Sequence, residues 1–134
     1  MGTPELTTDQ TQALERALAE FQSSNREELL TLAYPGIRDN ALGGMLAGAN
    51  PWETFLEWVK TKFHAACHEA GAFGSKVLVA LQDYEFAHKV YLVSIVVAFL
   101  MHEMELSDIP IKELTAIALL IAAVLHRQPP NAGG

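Results

Sequence analysis

The sequence predicts an all-α protein, a single-domain bundle of about five helices with a central apolar C-terminal helical hairpin. Two observations carry this reading. Hydrophobic residues recur at three- and four-residue spacing, and the stretches between them hold helix caps, prolines and glycines. Near the C-terminus, residues 90–101 (V-Y-L-V-S-I-V-V-A-F-L-M) and 114–125 (L-T-A-I-A-L-L-I-A-A-V-L) are almost wholly apolar. Each is shorter than the roughly 18 to 20 apolar residues of a bilayer span. Each is also too apolar to lie on a surface with one face wet. Both are expected to be buried, inside this chain or against another.

The elements follow in order. Thr7 or Thr8 caps a first helix running to about Phe21, with Leu14, Leu18 and Phe21 on one stripe. Ser24 with Glu27, or Asn25 with Glu28, offers a capping box for a short second helix. That helix is expected to end near Tyr34-Pro35-Gly36, because proline lacks the amide that would continue it. Residues 36–50 read as a glycine-rich connection holding at most a short helix between Ile37 and Leu42, with Arg38, Asp39 and Asn40 available as a recognition surface. Asn50 caps and Pro51 opens a strong third helix. Its Trp52, Phe55, Leu56, Val59, Phe63, Ala66, Cys67 and Ala70 share one face, and Gly71 closes it. Ser75 then caps a long fourth helix to about Leu106. Ser107 or Asp108 caps a fifth, which ends at His126 or Arg127. Residues 1–8 and 128–134 are expected to be flexible tails. The β-branched run at residues 93–97 has strand composition, but no other segment supplies a partner strand for its backbone.

Composition narrows the function classes. Among 134 residues, acidic side chains outnumber Lys and Arg by 16 to 9, for a net charge of -7. That balance disfavours nucleic acid and anionic membrane surfaces, both of which select basic patches. Cys67 is the single cysteine, so no intrachain disulfide can form, and a reducing compartment fits. No basic segment leads into an apolar run at the N-terminus, so the expected location is cytoplasmic.

The expected fourth helix carries two packing seams. Phe86, Val90, Val93, Val97, Leu100 and Met104 alternate by four and three residues, as in helix-on-helix packing. A second row, Tyr84, His88, Tyr91, Ile95, Ala98 and His102, lies roughly opposite. Trp58 falls about 120° off the apolar stripe of its own helix, at 3.6 residues per turn. These seven residues, Trp58 and the second row, are the interface candidates. Two such seams, and a last helix that is apolar all round, need more covering than three smaller helices supply.

The candidate chemistry is sparse. His64 and His68 stand one turn apart, with Glu57 on the same side, and imidazoles at that spacing can share a metal ion. Glu85 and His88 form one Glu-x-x-His motif, which di-iron bundles use twice together with two further glutamates. Ser94 is expected to bond back to a carbonyl of its own helix, and Cys67 to be a small core residue. The glycines, Ser75 and Lys76 of residues 71–76 have phosphate-loop residue types in the wrong order for a P-loop. The leading expectation is a non-enzymatic assembly or adaptor protein acting through helical packing on itself or another protein, with no cofactor. A metal-binding bundle with a redox or sensory role is the alternative. A third reading is a helical bundle that inserts its apolar hairpin into membranes, with His88, His102 and His126 at the segment ends to titrate.

Overall fold

The computed structural model describes residues 5–40 and 50–126. The expected tail at 128–134, residues 1–4 and residues 41–49 of the glycine-rich connection lie outside them. The described residues are helical, with no strand among them.

Helix α1 (Thr8–Phe21) is capped by Thr7, one of the two expected caps, in a capping box that Gln10 completes. Thr7 Oγ1 accepts from the Gln10 amide at 3.1 Å, and Gln10 Oε1 accepts from the Thr7 amide at 2.8 Å. Together they satisfy two of the amides that every helix start leaves free. Of the expected tail at 1–8, Thr7 is fixed by the cap, Leu6 packs on the core and Thr8 lies in the helix. Helix α2 (Arg26–Asn40) opens on the Asn25–Glu28 box, with distances of 2.8 and 3.0 Å.

Helix α2 does not stop at Pro35 as expected, but carries the proline inside it and continues to Asn40. An interior proline costs about 3 kcal/mol. Packing offsets it here. Ala33 and Ile37 are fully buried, and Gly36 approaches Ile109 so closely that an added Cβ would stand 2.5 Å from its Cδ1. Pro35 itself faces solvent.

The third rod is one continuous helix in three parts: α3 (Pro51–Trp58), a π turn (Val59–Phe63) and α4 (His64–Glu69). Asn50 Oδ1 accepts from the Glu53 amide at 2.8 Å and Pro51 takes the first turn, as expected. The π turn changes the phase of everything after it. Trp58 and Phe63 are five residues apart, which in an α-helix separates them by about 140°. The wider turn brings their rings to 6.0 Å. An aromatic chain results, running Trp52, Phe55, Trp58, Phe63, Phe99 and Phe73 with centroid spacings of 5.2 to 6.0 Å. Arg26 covers its outer end, 4.3 Å above the Trp52 ring.

The expected long fourth helix is two helices. Helix α5 (Ala72–Leu81) starts directly after Gly71, whose φ of 61° turns the chain, so Ser75 sits inside the helix and caps nothing. A 3₁₀ turn (Phe86–His88) precedes α6 (Val90–His102). Three polar contacts hold the break. Asp83 Oδ1 accepts from the Glu85 amide at 2.7 Å, and its Oδ2 accepts from Lys89 Nζ at 3.0 Å. His126 Nε2, at the end of the last helix, donates to the Leu81 carbonyl at 2.6 Å. That carbonyl is one of those a helix C-terminus leaves without an internal partner. Helix α6 closes with the Leu106 amide bonded to Leu100 O at 3.1 Å, which places Glu105 at φ 59°, a position usually held by glycine.

Helix α7 (Ile111–His126) packs on α1, α2, α5 and α6. Leu114 to Ala118 and Leu120 to Ala122 are buried, so its all-round apolar surface is covered inside the chain. The first seam also goes inward: Phe86, Val93, Val97, Leu100 and Met104 are buried. The α6–α7 hairpin is the centre of the bundle.

The Asp83 contacts make stability depend on pH. The Glu85 amide, then the Lys89 ammonium, hold the Asp83 carboxyl below its ordinary range. A lowered folded-state value means stability that is present above about pH 4 and lost as the pH falls through the lowered value. Asp83→Asn is therefore expected to lower the thermal midpoint at pH 7, with the gap from the parent closing at a pH below that lowered value. Melting curves at both pH values test this; a gap that stays constant would remove the carboxylate from the account.

Candidate docking face

One side of α5 and α6 is left with apolar surface. Val79 on α5 is 70% exposed and Tyr91 on the first turn of α6 is 65% exposed. Ile95, one turn further along α6, is half-buried beside them. Two grooves adjoin on this face. The first, of about 540 Å³, runs between the start of α1 and α6 and is lined by Glu5, Leu6, Thr11, Lys76, Val90, Tyr91, Ser94 and Ile95. The second, of about 590 Å³, runs between α5 and α6, with Ala72, Ser75, Val79, Ala80 and Leu92 in its walls. Lys76, Tyr91 and Ile95 border both.

Local sequence explains the exposure. Helix α5 is short and turns Val77, Ala80 and Leu81 inward, which leaves Val79 outward. In α6, Leu92, Val93, Val96 and Val97 face the core, so Tyr91 and Ile95 fall on the other side. Ser94 departs from expectation. Thr11, Thr31, Thr54, Thr61 and Thr115 each donate to the carbonyl four residues back. Ser94 makes no hydrogen bond with another described residue, and its side chain lines the first groove. The Lys76 ammonium likewise has no ion pair among the described residues.

The structure divides the interface candidates. Tyr91 and Ile95 lie together on this face. Tyr84, 95% exposed, stands in the loop after α5 with its ring against His126, 6.1 Å between centroids. His88 lies exposed in the 3₁₀ turn and His102 exposed at the far end of α6. Ala98 and Trp58 are each 1% exposed and belong to the core. The break at residues 82–89 separates Tyr84 and His88 from the rest of the row, Ala98 is buried within α6, and Trp58 shares the buried face of α3 with Thr54 and Phe55. Val79, which sequence reasoning missed, was assigned to a helix of wrong length; its neighbours Leu78 and Ala80 gave no sign of which residue would face out.

The metal candidates do not converge. No group of three or more His, Cys, Asp or Glu side chains is placed to hold a metal ion among the described residues. His64 and His68 line a cavity of about 390 Å³ with Cys67, Gly71 and Ser75, and Glu57 is not among its residues. The π turn lies between Glu57 and His64 and breaks the register that aligned them. Glu85 is ion-paired with Lys89 at 3.7 Å, and His88 sits in a 3₁₀ turn. Burial pushes the Cys67 thiol up to about 12, which leaves it uncharged and unsuited to metal binding or nucleophilic attack. No helix among the described residues is long and apolar enough to cross a membrane.

No protein-family model, no curated protein and no solved structure matches the chain.

Proposed function

We propose that this chain is a non-enzymatic helical assembly protein that works through protein–protein packing, with a second copy of itself on the α5–α6 face. The carrying observation is that a knob and a hole share one face. Tyr91 and Val79 project, while Ala72, Ser75 and Ala80 leave the groove beside them shallow-walled. A two-fold axis places the knob of each copy in the hole of the other, which is what an isologous dimer requires. Burying each aromatic or aliphatic side chain contributes roughly 1.5 to 3 kcal/mol, and symmetry doubles every contact. Two chains of charge -7 repel at long range. Association is therefore expected to tighten as salt is raised through physiological strength.

The same balance of charge supports a protein partner over nucleic acid. A single, buried, un-ionised Cys67 is compatible with work in the reducing cytoplasm.

The test is a pair of charged substitutions at exposed positions. Val79→Glu with Tyr91→Glu is expected to leave helicity unchanged and turn a dimer into a monomer by light scattering at about 100 μM, since like charges at a symmetric contact oppose each other. An unchanged mass for the folded variant would move the interface elsewhere.

A further inference from the structure

We infer that the groove between the start of α1 and the first turns of α6 is a binding site for an amphipathic monocarboxylate, a fatty-acid-like molecule. Its volume of about 540 Å³ lies in the range of small-molecule sites. Such sites are mainly apolar and carry a few polar groups that fix orientation. Leu6, Val90, Ile95 and the Tyr91 ring supply the apolar walls here.

The polar groups specify the headgroup. Ser94 is the one hydroxyl in the otherwise apolar run of residues 92–101, and it lines the groove with no hydrogen-bond partner among the described residues. Lys76 lines the same groove from α5, also with no ion-pair partner among the described residues. The Thr11 hydroxyl is already used, donating to the Thr7 carbonyl at 2.9 Å. A donor hydroxyl and an ammonium beside an apolar wall complement a carboxylate on an alkyl chain. Glu5 on the same lining opposes a second negative charge, which favours a monoanion. An alcohol would satisfy Ser94 and leave Lys76 unpaired; a quaternary alkyl cation would be drawn to Glu5, repelled by Lys76, and would offer the Ser94 hydroxyl no acceptor. This inference shares Lys76, Tyr91 and Ile95 with the self-association face and is separated from it by Glu5, Leu6, Val90 and Ser94, which line this groove and not the α5–α6 groove.

Decanoate, decan-1-ol and decyltrimethylammonium, titrated below their aggregation limits into the full chain, test it by calorimetry and amide NMR. The expected result is one decanoate per chain, shifts confined to residues 5–11, 76 and 90–95, and weaker binding of the other two. Lys76→Met is expected to weaken decanoate about tenfold and Ser94→Ala several-fold, the size of lost charge-assisted hydrogen bonds. Both positions are outside the buried core, so folding is expected to survive. Decan-1-ol binding as tightly as decanoate, an unchanged affinity in Lys76→Met, or shifts elsewhere would overturn the site. A membrane source is separated by flotation with oleate-doped phosphatidylcholine vesicles. Vesicle binding without decanoate binding would overturn the free acid as ligand.

Discussion

Gly74→Ala is expected to destabilise the fold by about 3 kcal/mol or more, in the upper range of single substitutions. Gly74 is buried where α5 crosses the end of α4. A Cβ added there would overlap the Cys67 carbonyl oxygen, and would stand 2.6 Å from the carbonyl carbon and 2.8 Å from Cα of the same residue. Those atoms are backbone, so no rotamer change relieves the clash. The two helices must part, and parting them opens the packing round Phe63, Cys67 and Val77, all buried. Gly36→Ala is the control. Its Cβ meets only the flexible end of Ile109, so a loss of about 1 kcal/mol is expected. Urea denaturation of both variants checks this. A Gly74→Ala loss no larger than that of Gly36→Ala would show that the α4–α5 crossing is not as close as described.

Trp58→Ala is expected to cost about 3 to 5 kcal/mol, the usual range for a large aromatic removed from a core. The ring lies between Phe55 at 5.9 Å and Phe63 at 6.0 Å, in a chain that links the third rod to α6 through Phe99. Its loss leaves neighbours on both sides without a contact. Because Trp58 is interior, the substitution is expected to lower stability while the variant that remains folded keeps the parent's association state. Denaturation and light scattering on the same samples separate the two effects. Dissociation without loss of stability would return Trp58 to the interface and contradict its burial.

The sequence carried the fold class and the first three helix starts, because both rest on local chemistry, whereas the last helix begins at Ile111, past the expected caps Ser107 and Asp108. Thr7 with Gln10, Asn25 with Glu28, and Asn50 with Pro51 are caps that a few consecutive residues define, and the structure forms all three. Where a helix boundary depends on distant residues, local reading failed. Pro35 looks like a stop, yet α2 passes through it because Ile37 and Gly36 are packed against the rest of the chain. Residues 82–89 contain no glycine or proline, yet the helix breaks there. Asp83 turns the backbone locally, but His126, 45 residues away, satisfies the last carbonyl of α5. The π turn after Trp58 left no sequence sign, and it brings Phe63 round to the face that Trp58 already occupies.

The same limits apply to the candidate face. Periodicity placed Tyr91 and Ile95 opposite the core, and that held for those two residues but not for Ala98 further along α6, which is buried. It could not place Val79, since the relative orientation of α5 and α6 depends on the break between them. The demand for outside covering was also overstated. Helix α7 finds its partners within the chain, so the apolar surface left for a second copy is one face rather than two.

Native mass spectrometry of the untagged protein over a concentration series, beside the Val79→Glu/Tyr91→Glu variant, tests self-assembly most directly. The account predicts a dimer whose fraction rises with protein concentration in the parent and a monomer in the folded variant. A parent that stays monomeric at about 100 μM, far above the micromolar range of a weak specific complex, would contradict it.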